Sequence, residues 1–271
     1  MKTTSTPTPI LRRLLLCVLL LLGTGVSQSA VIITNGPIVT NPGQGYEGAD
    51  VSLATAALNN QTGFLMNKVS NYRLADDFTV PVDQKWNLTA IRFFGYENNS
   101  GTTPTNFTGL YARIWDGRPS DPTATVVWGN DTANILAGSS FSGIYRVRDT
   151  ESITNFTRPV MTLDGTASTS LVAGTYWLEW MTTGSFSTPT GGPWDPPISI
   201  VGQLATGNAM RFIPGTGWTD AKIGVNPQGF PFELEGTVDI VPEPGQWAMM
   251  SVTLLGVAGV VLRRYRRSCA P

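Results

Sequence analysis

Short runs in which apolar and polar residues alternate dominate the chain from Ala75 onward, with the two-residue period of strands that bury one face. The pattern predicts strands at 75–81, 86–96, 110–115, 123–128, around Phe141, Tyr145 and Val147, and at 171–181, 199–201, 209–212 and 230–240. Residues 31–34 predict an earlier one. Within 86–96 the apolar phase slips between Ala90 and Ile91, which predicts a bulge. Tyr176-Trp177-Leu178-Glu179-Trp180 carries large residues on both faces and so belongs in the middle of a sheet. In the last strand Phe232, Leu234, Val238 and Ile240 alternate with Glu233, Glu235, Thr237 and Asp239, a half-buried pattern. Residues 31–75 are less legible. Asn35-Gly36-Pro37 and residues 41–45 carry turn chemistry, and the Ala-rich stretch 52–58 is expected to form a short helical turn. No segment of residues 30–240 sustains a helical period. The expected fold class is therefore all-β: an antiparallel, jelly-roll-like β-sandwich forming one extracytoplasmic domain over residues 30–240.

The two ends follow other patterns. Residues 1–29 have the order of a secretory signal: Lys2, Arg12 and Arg13, an apolar run at 14–22, then Ser27-Gln28-Ser29-Ala30 around a cleavage point. Residues 241–271 begin with Pro242-Glu243-Pro244. The prolines lack backbone donors and end the preceding strand. An uncharged run at 247–262 follows, then Arg263-Arg264-Tyr265-Arg266-Arg267. As a helix the run would span about 24 Å at ~1.5 Å per residue, short enough that flanking Trp and Arg would snorkel. The arginines would stay cytoplasmic. Motif, short span and basic end, in that order, resemble the PEP-CTERM sorting signal of bacterial envelope proteins. The resemblance covers residues 241–271 only. It implies processing by an exosortase and an inner-membrane, single-pass precursor with a periplasmic body. It further implies delivery to the cell surface or exopolysaccharide matrix of a Gram-negative bacterium. Residues 75–81, Phe93-Phe94-Gly95-Tyr96 and Ile114-Trp115-Asp116-Gly117 resemble uncharacterised β-sandwich bodies of secreted bacterial proteins, a likeness that carries no activity.

Composition narrows the chemistry. The chain has no histidine, which excludes Ser-His-Asp and Cys-His catalysis, histidine-ligated zinc and a histidine general base. Cys17 and Cys269, its two cysteines, lie in the terminal segments, so residues 30–240 have no disulfide, thiol nucleophile or thiolate-bound metal. That body carries eleven Lys and Arg against eighteen Asp and Glu, a net charge of −7 hidden by the −1 of the whole chain. No basic stripe exists to neutralise phosphates, and no nucleic-acid partner is expected. Lys68, Lys85 and Lys222 stand in no Ser-x-x-Lys, and neither Gly-x-Ser-x-Gly nor a phosphate-cradling loop occurs.

Acid–base work would fall to carboxylates, and a glycosidase needs two about 5–10 Å apart. Asp76 with Asp77, Asp149 with Glu151, and Glu233 with Glu235 are the candidate pairs. Glu233 and Glu235 share a strand face, where a solvent-facing row is the simpler expectation. Asp76 and Asp77 point to opposite faces; a structural Ca²⁺ held there with loop carbonyls is the one cofactor the carboxylates would suit. Trp194 and Trp218 sit in Gly- and Pro-rich stretches expected to be loops, each with an Asp one or two residues on, and are the candidate glycan-stacking residues. Trp86, Trp115, Trp128, Trp177 and Trp180 fall on predicted strands and are expected to pack the core or a strand face. Asn60, Asn87, Asn98, Asn106, Asn130 and Asn155 head Asn-x-Ser/Thr triplets, which in a bacterial protein mark polar surface. The expected body is a non-catalytic structural or adhesive domain with exopolysaccharide as its candidate ligand. The alternative is a glycan-active enzyme that uses paired carboxylates.

Overall fold

Alternation becomes register in the computed structural model, which describes residues 29–54, 62–185 and 192–241. The expected signal (residues 1–28 of it), the motif Pro242–Pro244, the apolar run and the arginines at 263–267 lie outside the described residues. No helix among the described residues is long and apolar enough to cross a membrane. In chain order the strands are β1 (Ala30–Asn35), β2 (Asp50–Ala54), β3 (Phe64–Leu65), β4 (Arg73–Val80), β5 (Gln84–Gly95), β6 (Phe107–Trp115), β7 (Val126–Gly129) and β8 (Leu136–Arg148). They continue with β9 (Pro159–Leu171), β10 (Gly174–Gly184), β11 (Trp194–Asp195), β12 (Met210–Ile213), β13 (Gly217–Asp220), β14 (Lys222–Ile223), β15 (Asn226–Pro227) and β16 (Phe232–Ile240).

Two six-stranded sheets carry the fold, in the orders β1-β16-β5-β9-β8-β2 and β13-β12-β4-β10-β6-β7. The protein is all-β, and its predominantly antiparallel sheets have the layered arrangement of a β-sandwich. Inner-face residues interleave into one core. Trp86, Ile91, Phe93, Leu163, Phe232 and Leu234 come from the first sheet; Leu74, Phe78, Leu110, Ile114, Leu178 and Trp180 come from the second. Rings meet across the layers. Phe78 stacks on Trp86 with centroids 6.0 Å apart, and Phe93 on Trp180 at 4.7 Å. β10 lies between β4 and β6, the central place its two-faced sequence predicts.

Five expectations need correction. Residues 52–54 belong to β2 rather than to a helical turn. β2 pairs in parallel with β8, Ser52 opposite Arg146, so long-range pairing overrides the helical preference of an Ala-rich stretch. That pair also departs from a purely antiparallel arrangement. Residues 199–201 form no strand: Ile198 and Ser199 give single backbone bonds to Gly229 and Pro37 in an irregular segment that follows Pro196-Pro197. The bulge falls at Thr89, one residue early, where β16 pairs Ala90 and Leu88 with the consecutive residues Glu235 and Gly236. Val238 and Ile240 stand exposed, because β16 loses its β1 neighbour beyond Gly236.

Candidate functional site

Alternation on the second sheet sends Tyr176, Leu178 and Trp180 into the core, and so turns Trp177 and Glu179 outward. On β6 the same rule buries Leu110, Ala112 and Ile114 and turns Tyr111, Arg113 and Trp115 outward. Register then lines these residues up. Trp177 lies opposite Asp77 on one side and Trp115 on the other; Glu179 lies between Ala75 and Arg113; Phe212 lies between Arg73 and Trp218. Ala75, Trp177 and Met210 form a small apolar cluster on this outer face, with Trp115 and Trp218 packed against it.

Glu179 organises the polar part. Its carboxylate, 2% exposed, accepts bonds from Arg113 Nη2 at 2.5 Å, Arg113 Nε at 3.2 Å, Trp115 Nε1 at 2.7 Å and Arg73 Nη1 at 3.4 Å. The guanidinium groups held this way lie over rings: Arg113 5.3 Å from Trp115 and Arg73 4.6 Å from Phe212. Arg118, from the β6–β7 connection, covers Trp177 at 5.4 Å and donates to Asp220 at 2.6 Å. Phe212 and Trp218 meet edge to face at 5.6 Å. At the edge of the face Arg118, Asn208, Asp220 and Lys222 line a groove of about 280 Å³. Lys222, and after it Arg118, holds the exposed Asp220 carboxyl below its usual range. Chemically the face offers the half-exposed indoles of Trp115 and Trp218 around a buried Trp177, together with planar cations and fixed carboxylates. That combination stacks on sugar rings and hydrogen-bonds their hydroxyls.

The two tryptophans singled out in the sequence do not come together. Both lie in short strands rather than in loops, because each Gly/Pro-rich stretch closes a two-residue or four-residue ladder. Trp218 joins the outer face. Trp194, on β11, pairs instead with Tyr96, packs against the small cluster of Ile38, Tyr96, Ile144 and Val160, and lines a separate cavity of about 220 Å³ with Phe64, Tyr72 and Arg211. Trp115 and Trp177, which sequence assigns to packing, are the residues that complete the face. Their outward phase was readable from the alternation of β6 and β10, once the inner faces were known.

The carboxylate pairs are otherwise engaged. Arg92 takes Glu233 at 3.0 Å, Glu235 at 3.9 Å and Asp164 at 2.6 Å, on the outer face of the first sheet. Asp164, ahead of Glu233, keeps Arg92 above its usual pKa. Glu151 pairs with Arg158 and caps the Arg148 N–H at 3.2 Å, while Asp149 is exposed. Asp76 and Asp77 do point to opposite faces. Asp76 is buried among N–H donors from Asn35, Phe230 and Asp77, and burial pushes it up to about 7. Asp195, fully buried, accepts the Trp180 indole N–H at 3.0 Å and is likewise pushed well up by burial; sequence reasoning passed over it. Among the described residues no group of three or more His, Cys, Asp or Glu is placed to hold a metal ion. No protein-family model matches the chain, and no curated protein does.

Proposed function

We propose that this is an exported, exosortase-sorted envelope protein whose β-sandwich binds exopolysaccharide in a structural or adhesive role, without catalysis and without a cofactor. The outer face of the second sheet carries the reading: Trp115, Trp177, Phe212 and Trp218 lie in register there, among arginines that Glu179 and Asp220 hold in place. An extended polar chain laid across such a face finds ring stacking and charge-assisted bonds along its length. The chain's crossings between sheets, β4 to β5 to β6 and β9 to β10, suit a jelly-roll-like connection. In the cell the tail would hold a periplasmic precursor at the inner membrane of a Gram-negative bacterium until an exosortase releases the body to the surface or matrix.

Affinity electrophoresis through gels cast with exopolysaccharide from the producing cells tests the binding. The full-length protein in detergent is expected to be retarded. Trp218→Ala and Trp115→Ala should each weaken retardation about tenfold, the size of a lost stacking contact. Trp194→Ala, away from the face, should not. Equal retardation of all four proteins would overturn the outer face as the binding surface.

A further inference from the structure

Arg146 points from β8 into a space closed by residues 196–203, and is 1% exposed. Its bonds go to neutral groups: Nε donates to Thr62 O at 2.7 Å, and Nη1 to Ser52 Oγ at 2.9 Å and to Ser199 Oγ at 2.8 Å. Nη2 makes no hydrogen bond, and no carboxylate pairs with the guanidinium, among the described residues. Tyr96, and after it Asp195, act electrostatically on Arg146, but burial pushes the Tyr96 hydroxyl up to about 12 and Asp195 well up, so both favour the neutral form, and Asp195 is held by Trp180. Arg158, the next cation, is already paired with Glu151. A buried cation without an anion is unfavourable, and burial lowers the Arg146 pKa to about 10.

Beside Arg146 lies a cavity of about 70 Å³, walled by Thr40, Leu53, Ile198, Ser199 and Thr206. One water needs only about 10–15 Å³ by this measure, so the space takes a group of several heavy atoms. We propose that this cavity is a binding site for one small carboxylate, received by Arg146. Nη2, whose two N–H groups are unspent, can give charge-assisted hydrogen bonds to a carboxylate oxygen. Ser52, Ser199 and Thr62 fix the guanidinium in place before the ligand arrives, and the apolar wall of Leu53 and Ile198 takes a short aliphatic stem.

Calorimetric titration of the full-length protein with sodium acetate tests this, with acetamide as the neutral isostere and ionic strength held constant with sodium chloride. Acetate is expected to saturate and to bind at least about tenfold more tightly than acetamide, as a charge-assisted pair should. Arg146→Met should abolish the difference. Because Arg146 also ties three groups together, Leu53→Phe provides a second variant: it keeps the guanidinium and its bonds but fills the space, and should weaken acetate about tenfold. Acetate binding no tighter than acetamide, or undiminished in Leu53→Phe, would overturn the site. Neither result bears on the outer face, which lies on the other sheet.

Discussion

Asp76 accepts three N–H bonds, yet desolvation outweighs them and its pKa rises to about 7. The unfolded chain gives up that proton near 3.8, so between these values the folded state binds more protons than the unfolded one. Stability from this group is therefore complete below pH 4 and declines as the pH climbs to 7, by at most about 4 kcal/mol. Asp195 shifts in the same direction. Asp116, Asp121 and Asp220 shift downward and act with the opposite sign, but below their usual carboxylate range and outside this window. Urea unfolding at pH 4.5, 5.5 and 7.0 should show stability decreasing with pH, with a shallower decrease in Asp76→Asn. A profile that rises across this range would contradict the assignment. Such a residue is not legible in sequence. Asp76-Asp77 looks like any acidic dipeptide before a Phe, and its burial depends on Asn35 and Phe230, 41 and 154 positions away. Trp218 was legible as a ring near an Asp, whereas its partners on the face became visible only through register.

Among the elements, β5 and β16 pair closely beside the Thr89 bulge. There Gly236 faces the backbone of Asn87, and a Cβ on it would lie 2.1 Å from the Asn87 carbonyl oxygen. Backbone on one side and backbone on the other leave nothing free to move. Gly236→Ala should thus cost about 2 kcal/mol or more, the range of overpacked sites, measured by urea unfolding. Gly138→Ala on β8 is the matched control: no atom lies within 4 Å of its Cβ, and it should change stability by less than about 0.5 kcal/mol. Equal effects would mean that strand glycine content rather than close approach governs the cost. The same crowding explains the strand that alternation did not reveal. β9 turns Met161, Leu163, Gly165 and Ala167 inward between Thr162, Asp164, Thr166 and Ser168. Two of those four inward positions are too small to register as apolar. Gly165 has to be small, since a Cβ there would meet Leu110 of the opposite sheet at 2.8 Å. Long strands with large inward residues, β4, β5, β6 and β10, were legible for the opposite reason.

At the scale of the whole molecule, Val241, the last described residue, directly precedes the proposed sorting motif. Val241 donates its N–H to Asp83 O at 2.7 Å, in the turn between β4 and β5. The next residue is Pro242, which has no N–H to extend that pairing. That bond is made by Val241 itself, so replacing Pro242-Glu243-Pro244 by alanine should leave the sandwich intact while removing what an exosortase would recognise. In fractionated producing cells, intact-mass analysis should find the native protein in the matrix or medium, shortened to about residue 240. The triple-alanine protein should stay at full length in the inner membrane, with its signal removed. A folded triple-alanine protein released and shortened like the native one would sink the sorting reading. A native protein found only at full length in the inner membrane would make the tail a plain anchor, and the aromatic face of the second sheet would then meet its ligand in the periplasm.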